Sequence, residues 1–582
     1  MASEAHPLYF GMTGAESFGW FHEPVNSTRS KMGLVLCSSF GNENDATYRS
    51  LRNLASAAAE KGIATLRFDY YGSGDSAGAD TENDHPSAWL SGIHAAIDAL
   101  RKQDNIEKIC ILGIRLGALL AAVVANERTD ICGYIALAPI PSGRAFLREA
   151  LLRNEQETRG EEFDLELAGY VLTPLAQNEF KSLDLLSMTC APAKNVLIIA
   201  PDTRRATQQW IAQLSAQGSH VEIDTQCDLK PVIERGGHKN IPHSLIERVT
   251  TWVGNCAVNV GYLPSRALVT ETKNVLHLNG VCETPITLWA DSIPLFAILS
   301  EPERQPVHNI CVFLNAGAGR RTGPRRLYVN CARAWAQQGT AVLRLDMPGI
   351  GDSEDPPNYA EGEVYTINST QAIATAVQYM RSRFGDNVYC HLIGLCSGAY
   401  HALKAAIAGT PIQSVVLINQ LAYFRPAEIK MGDPRLIWEL AYYLSVLGRQ
   451  SEATAGYSRT NLILRRGKWK LIHCWFWLRN ALRNALRPLA IAIPNDLEGE
   501  LHALARSNIM INMLFSGQDA ASQLLYLEGG RTVTTLQRQG KIKIRTIQDA
   551  NHAFTSNEAQ VSVRAELESI VHEAAASTVR GS

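Results

Sequence analysis

Short apolar runs alternate with longer amphipathic stretches along the whole chain. In the first half, such runs occupy residues 32–38, 63–70 and 108–113, and the third leads directly into an Ala-rich stretch of helical character. Continuous apolar runs separated by helical patterns are typical of buried parallel strands with helices between them. The pattern therefore predicts an α/β protein built on mostly parallel sheets flanked by helices.

The second half of the chain repeats the order of the first. Its apolar runs lie at residues 309–314, 341–346 and 387–394. Asp69 and Asp346 stand at the end of the second apolar run of their halves and are 277 residues apart. Arg115 and Cys396 follow the third apolar run and are 281 residues apart. Offsets that stay nearly constant are typical of a duplicated domain. We therefore predict two tandem domains with one α/β fold.

The predicted boundary between the domains rests on length and composition. A chain of 582 residues exceeds what one hydrophobic core usually organises. The segment 261–272 is polar and contains proline, as linkers often do. We place the predicted domains at residues 1–262 and 263–582, and we expect contact between the two halves within the chain.

Composition and charge exclude several classes of function. The chain is 46% hydrophobic and 19% charged, and its formal charge of −2 gives no overall attraction to nucleic acid. The twelve cysteines are scattered singly, without metal-ligand spacing, so we expect reduced thiols, no metal and no cofactor. The first residues lack the pattern of a signal peptide, and no apolar run is long enough to span a membrane, which predicts a cytoplasmic protein.

A candidate nucleophile lies in the turn Gly-Leu-Cys-Ser-Gly after the run 387–394. A G-x-C-x-G turn between a strand and a helix holds its central residue in a strained conformation that needs small neighbours on either side. The pattern makes Cys396 the nucleophile and places the amide of Ser397 at a helix N-terminus, where it can stabilise an oxyanion. A second oxyanion donor is expected from the loop after residues 309–314, and we assign it to Gly317.

Two further residues complete a candidate triad. Asp519 follows the apolar run 509–516, and His552 follows the run 541–547. The chain order nucleophile, acid, histidine resembles that of the α/β-hydrolase superfamily. The cysteine at the centre of the turn is similar to that of polyhydroxyalkanoate synthases and of dienelactone hydrolase. The resemblance implies that His552, oriented by Asp519, removes the proton of Cys396.

The first half carries arginine where the second carries the nucleophile. The turn reads Gly-Ile-Arg-Leu-Gly around Arg115, and an arginine cannot attack a carbonyl group. Asp202 and His238 stand where the acid and the histidine are expected, so the site reads as a degenerate triad. Residues 32–145 resemble the exosortase-system-associated α/β hydrolases of bacteria. Arg115 either pairs with Asp202 to keep the domain folded, which we favour, or forms an anion pocket.

The second half has a large predicted cap. Asp519 follows Asp202 by 317 residues, 36 more than the offset at Cys396. We predict a cap insertion in each domain, with the second larger, helical and spanning about residues 424–508. Within it, no acidic residue and eight basic residues lie between Glu452 and Asp496.

Three interpretations of this basic segment are open. Arg479, Arg483 and Arg487 recur at helical spacing beside an apolar stripe. The segment is interpreted as a lid over the active site, as a dock for an acidic acyl carrier protein or coenzyme A, or as an interfacial membrane helix.

These features predict an acyltransferase with a Cys-His-Asp triad and an acyl-cysteine intermediate. The acyl group would move from a thioester donor to an alcohol or an amine. With water as acceptor, the same residues make a thioesterase or an esterase. A third hypothesis is that both halves are binding scaffolds without catalysis.

Overall fold

The computed structural model describes most of the chain. The described residues are 4–25, 28–79, 85–103, 106–153, 165–167, 170–201, 205–233, 241–264, 274–357, 359, 362–423, 478, 496–517, 519 and 521–579. They fall into two compact units, Met1–Pro285 and Ile286–Ser582. Among the described residues, no helix is long and apolar enough to cross a membrane.

Up to residue 264, the described part of the first unit contains twelve strands and eight helices. The strands are β1 (Ala5–Phe10), β2 (Ser17–His22), β3 (Thr28–Ser30), β4 (Met32–Cys37), β5 (Thr65–Phe68), β6 (Lys108–Ile114), β7 (Ile131–Leu137), β8 (Leu165–Leu167), β9 (Tyr170–Leu172), β10 (Asn195–Ile199), β11 (His220–Asp224) and β12 (Tyr262–Pro264). The helices are α1 (Asn42–Glu60), α2 (His85–Lys102), α3 (Leu116–Asn126), α4 (Gly143–Arg153), α5 (Pro174–Ser182), α6 (Arg205–Ala216), α7 (Lys230–Ile233) and α8 (His243–Val260), with a 3₁₀ turn at Leu185–Ser187.

The second sheet begins before the cut between the compact units, which falls inside its second strand. Its strands are β13 (Leu276–Leu278), β14 (Val281–Ala290), β15 (Ile293–Pro302), β16 (Asn309–Leu314), β17 (Thr340–Leu345), β18 (Tyr389–Leu395), β19 (Ser414–Ile418), β20 (Met510–Ser516) and β21 (Ile542–Ile547). The helices described with it are α9 (Leu327–Ala336), α10 (Ser369–Phe384), α11 (Ser397–Ile407), α12 (Leu497–Arg506), α13 (Ala521–Arg538) and α14 (Asn557–Val579), with a 3₁₀ turn at Pro324–Arg326.

The two main sheets share one strand order. The first runs β1-β2-β5-β4-β6-β7-β10-β11, and the second runs β14-β15-β17-β16-β18-β19-β20-β21 with β13 added at its edge. In the first sheet, the strands from β5 to β11 pair in parallel, and β2 pairs with β5 in the antiparallel direction. In the second sheet, the strands from β17 to β21 pair in parallel, and β15 pairs with β17 in the antiparallel direction. The prediction of two α/β units with mostly parallel sheets flanked by helices is therefore confirmed.

An aspartate closes the turn after β5 and after β17 in the same way. In the first unit, Asp69 accepts the backbone N–H of Asp75 at 3.0 Å, and in the second Asp346 accepts that of Asp352 at 3.0 Å. The carbonyl of each aspartate accepts the hydroxyl of the serine that follows, at 2.7 Å and 2.6 Å. These bonds hold the two turns in the same shape, so Asp69 and Asp346 have a structural role.

The central strands lie between helical layers. Every residue of β4, β16 and β17 is buried, which explains why these strands read as continuous apolar runs. The turns that follow these parallel strands therefore lie at one edge of the sheet, supported by buried strands.

Several predictions fall on residues outside the described part of the chain. Apart from Leu478 and residues 496–508, the predicted cap 424–508 lies there, including Arg479, Arg483 and Arg487. Asp202 and His238 also lie there.

Candidate active site

Cys396 occupies a sharp turn between β18 and α11. Its backbone has φ 57° and ψ −110°, a conformation that residues with a side chain rarely adopt. The glycines on either side are required by close backbone contacts: a Cβ added at Gly394 would lie 2.1 Å from the carbonyl carbon of Gly398, and one added at Gly398 would lie 2.6 Å from the carbonyl oxygen of Asn315. The Cys396 amide donates to the Ile418 carbonyl at 2.9 Å, which anchors the turn to β19.

His552 and Asp519 meet at this turn. Nδ1 of His552 is hydrogen-bonded to Oδ2 of Asp519, and His552 is also hydrogen-bonded to Cys396. The Asp519 side chain is 1% exposed, and its other oxygen accepts the backbone N–H of Ala521 at 2.8 Å. The structure thus brings together the three residues that the sequence singled out as nucleophile, base and acid.

The charge state of His552 follows from these contacts. Burial lowers its pKa, but the hydrogen bonds and negative charges of Asp519 and Cys396 outweigh burial and raise the pKa to about 10. An imidazole with a pKa of about 10 is protonated at neutral pH, so His552 can act as an acid toward a group bound beside Cys396.

The two predicted oxyanion donors lie on neighbouring loops. Gly317 follows β16 with φ 59°, and its amide donates to the hydroxyl of Ser397 at 2.8 Å. Ser397 is the first residue of α11 and is 3% exposed. The Gly317 amide is thus beside the nucleophile, but its partner in this structure is a side-chain hydroxyl that a substrate carbonyl would have to replace.

A buried ion cluster holds the oxyanion loop. Asn315 donates to Oδ1 of Asp346 at 3.0 Å, and the guanidinium of Arg321 contacts both Asp346 and Asp352 at 2.7 Å. The Arg321, Asp346 and Asp352 side chains are at most 1% exposed. Burial raises the pKa of Asp346, and Arg321 opposes that rise. Sequence reasoning did not single out Arg321, although its place in the arginine-rich stretch Gly-Arg-Arg-Thr after the loop was a usable signal.

The first unit has the same turn, with arginine instead of cysteine at its centre. Arg115 has φ 54° and ψ −117°, and its amide donates to the carbonyl of Leu137 at 2.9 Å. Its guanidinium pairs with Glu149 at 2.5 Å and with Glu43 at 3.4 Å. The expected partner Asp202 lies outside the described residues, so the carboxylates that the structure places on Arg115 are these two glutamates. Burial lowers the pKa of Arg115, but Glu43 and Glu149 together raise it.

The loop beside this turn also differs between the units. A Cβ added at Gly117 would lie 2.2 Å from the Ser38 carbonyl oxygen, just as one added at Gly398 meets Asn315. Ser38 therefore corresponds to Asn315, and Phe40 stands where the second unit has Gly317. The first unit thus has neither a cysteine at the turn nor a glycine at the position of Gly317.

We expect Arg115→Leu to lower the stability of the first unit and to change the alkylation rate of Cys396 in the second unit by no more than a few-fold. The two glutamates lose a shared partner in a site where Arg115 is 14% exposed, at a cost of about 1–3 kcal/mol. Denaturant unfolding and the rate of Cys396 alkylation measure the two effects. Lys31→Met, which removes a more exposed pair with Glu107, is the control and should change stability by less than about 1 kcal/mol. Unchanged stability with lost turnover would favour an anion-binding role for Arg115.

Comparisons with known proteins concern the fold. Residues 41–154 match the family model described as serine aminopeptidase, S33, a segment that contains Arg115 and not Cys396. Est1E from Butyrivibrio proteoclasticus is 18% identical, with 43% of this chain and 99% of that chain covered and a TM-score of 0.34. Dienelactone hydrolase from Anabaena variabilis is 13% identical, with 50% and 97% covered and a TM-score of 0.30. Proline iminopeptidase from Mycobacterium smegmatis is 14% identical, with 51% and 100% covered and a TM-score of 0.32.

No curated protein matches the chain. The family match covers residues 41–154 in the first unit and defines no substrate.

Proposed function

We propose that the second unit is an acyltransferase that uses Cys396, His552 and Asp519 and passes through an acyl-cysteine intermediate. The observation that carries the proposal is the contact of His552 with both Cys396 and Asp519 at a strained turn. Strain of this kind persists where the surrounding structure enforces it and is concentrated at active sites. The scheme uses no metal and no cofactor.

The first half-reaction transfers the acyl group to the enzyme. The Cys396 thiolate attacks the carbonyl carbon of a thioester, and the carbonyl electrons move onto the oxygen. That oxygen accepts the N–H groups of Ser397 and Gly317, replacing the Ser397 hydroxyl at the latter. The bond from carbon to the donor sulfur then breaks, and His552 gives its proton to the leaving thiolate.

The second half-reaction reverses the role of His552. Acylation removes the thiolate charge that helps to raise the pKa of His552, so the imidazole, having given its proton, now serves as a base. It takes a proton from an alcohol or an amine, which attacks the acyl-cysteine. The bond between carbon and Cys396 breaks, and the resting thiolate–imidazolium pair is restored.

Hydrolysis is the second candidate function. Water can replace the alcohol or amine in the same steps, which gives a thioesterase or an esterase. A scaffold without catalysis would need neither the contact of His552 with Cys396 nor the buried Asp519.

The first unit is proposed to be a degenerate copy of the second. The shared strand order, the matching turns at Asp69 and Asp346, and the equal backbone conformation of Arg115 and Cys396 support a tandem duplication. The sheets favour a domain boundary between β12, which pairs with β3 of the first unit, and β13, which begins the second sheet at Leu276. The predicted boundary at residues 262–263 falls inside β12, a few residues earlier.

The donor and the partner also belong to the proposal. We propose a thioester on an acyl carrier protein or on coenzyme A, captured with the help of Arg479, Arg483 and Arg487 in the cap. Electrostatic capture of an acidic donor would weaken with added salt. The cytoplasmic location stays a prediction.

Intact-protein mass spectrometry after incubation with acyl-coenzyme A thioesters tests the proposal. We expect one added acyl mass, mapped to the peptide that contains Cys396. Burial raises the pKa of Cys331 and Cys390 to about 12, so these thiols should not compete, whereas the exposed Cys190 serves as an internal comparison. Acyl mass on Cys190 and none on Cys396 would contradict the proposal, and release of free acid without transfer to alcohols or amines would favour the hydrolase.

A further inference from the structure

We infer that Asn419 is a positioning residue that holds His552 in register with Asp519 and Cys396. The inference rests on the proposed function, because it takes His552 to be the proton carrier. Asn419 follows β19 directly and does not belong to the triad or to the oxyanion hole. Its role is read from its contacts with the acid strand and with the histidine loop.

The Asn419 side chain bridges two elements that carry catalytic residues. Its Nδ2 donates to the carbonyl of His552 at 2.8 Å, and its Oδ1 accepts the backbone N–H of Ser516 at 2.8 Å. Ser516 ends β20, three residues before Asp519. One amide group thus fixes the distance between the backbone of the histidine and the strand that presents its carboxylate partner.

The backbone of Asn419 is fixed by burial and by a hydrogen bond to β20. The residue is fully buried, has φ 45° and donates its own N–H to the carbonyl of Leu514 at 3.0 Å. Asparagine tolerates this left-handed conformation better than most residues. The turn aims the side chain across the end of β20 toward the histidine loop, where an amide can donate and accept at the same time.

The first unit provides a natural comparison. Ala138 follows β7 as Asn419 follows β19, has φ 44°, and donates its N–H to the carbonyl of Ile199 at 2.8 Å. The backbone arrangement is therefore the same in both units. Only the unit with a cysteine at its elbow carries an amide side chain at this position, whereas the unit with Arg115 carries a methyl group.

Other contacts hold the histidine loop at its far side. Arg325 donates to the Thr555 carbonyl at 2.9 Å, and Gln560 donates to the Phe554 carbonyl at 2.7 Å. These bonds keep the loop folded when Asn419 is removed. The bond to the His552 carbonyl itself comes from Asn419, so we expect its loss to misplace the imidazole without unfolding the loop.

Asn419→Ala tests the inference, and the chain itself shows that alanine fits this backbone at Ala138. We expect kcat for acyl transfer to fall about tenfold to 100-fold with KM within about two-fold, since small misplacements of a catalytic group have effects of this size. The pH profile of Cys396 alkylation by iodoacetamide should shift toward that of His552→Ala. Asn419→Gly, which relieves the backbone and also removes the amide, should behave in the same way.

The control is Asn512→Ala. Asn512 is a buried asparagine of β20 whose Nδ2 donates to the Ser414 hydroxyl at 3.1 Å, away from the histidine loop. It should lose stability as Asn419→Ala does and keep the wild-type kcat and alkylation profile. Equal kcat and equal profiles in Asn419→Ala, Asn419→Gly and Asn512→Ala would overturn the inference. Failure of the wild type to acylate Cys396 would instead overturn the proposed function.

Discussion

Replacing Cys396 by alanine is expected to lower kcat/KM for acyl transfer by about 10³-fold or more, because the covalent step loses its nucleophile. The neighbouring hydroxyl of Ser397 cannot substitute, since it lies off the turn's centre and accepts the Gly317 amide at 2.8 Å. Turnover of a thioester and formation of the acyl adduct measure the loss. The adduct should disappear together with turnover.

Serine at position 396 should retain at most a trace of activity. A serine hydroxyl needs a stronger base than a thiol does, and the raised pKa of His552 leaves its imidazole protonated at neutral pH and unable to act as that base. Cys190→Ala is the matched control, since Cys190 is exposed and lies in the first unit, and it should keep full activity. Wild-type rates in Cys396→Ala would end the assignment of the nucleophile.

The elbow could be predicted because its determinants are local. Two glycines and a central residue within five positions fix the turn at Cys396 and at Arg115, and the structure gives both the same backbone conformation. The sheet could be predicted for a related reason, since buried parallel strands must be apolar on both faces. The order of Asp519 and His552 after their strands then followed from the resemblance to α/β hydrolases.

The partners that tune these residues could not be predicted. Glu43 and Glu149 reach Arg115 from α1 and α4, and neither sequence position signals a contact with the elbow. The same holds for Asn419, whose bonds to Ser516 and His552 span more than ninety residues. Contacts of this kind depend on which side chain points across a strand end, and sequence spacing does not encode that direction.

Arg321→Met is expected to destabilise the second unit by about 3–5 kcal/mol, because it leaves two buried carboxylates without their shared cation. Arg321 lies 2.7 Å from both Asp346 and Asp352, and its guanidinium also stands 4.3 Å from the ring centre of Phe296. Hydrogen exchange of peptides from β16 to β18 reports the stability of this unit separately from that of the first. Arg383→Met removes an ion pair between the 45% exposed Arg383 and Glu301, and it should cost less than about 1 kcal/mol.

The pH dependence of the Arg321→Met variant separates a charge effect from a packing effect. Burial and the charge of Asp352 raise the pKa of Asp346, and the charge of Arg321 opposes that rise. In the Arg321→Met variant this charge is lost, while the hydrogen bonds that Asp346 accepts from Asn315 and from the backbone N–H groups of residues 321 and 352 remain. In the folded variant, Asp346 then has a pKa above that of aspartate in the unfolded chain. The free energy of unfolding of the variant therefore falls as the pH rises above the ordinary pKa of aspartate. The loss of unfolding free energy in Arg321→Met relative to wild type should therefore be smaller at pH 5 than at pH 8. A deficit that is the same at both pH values would show that Arg321 acts through packing on Phe296, and the ion cluster would then have no electrostatic part in holding the oxyanion loop.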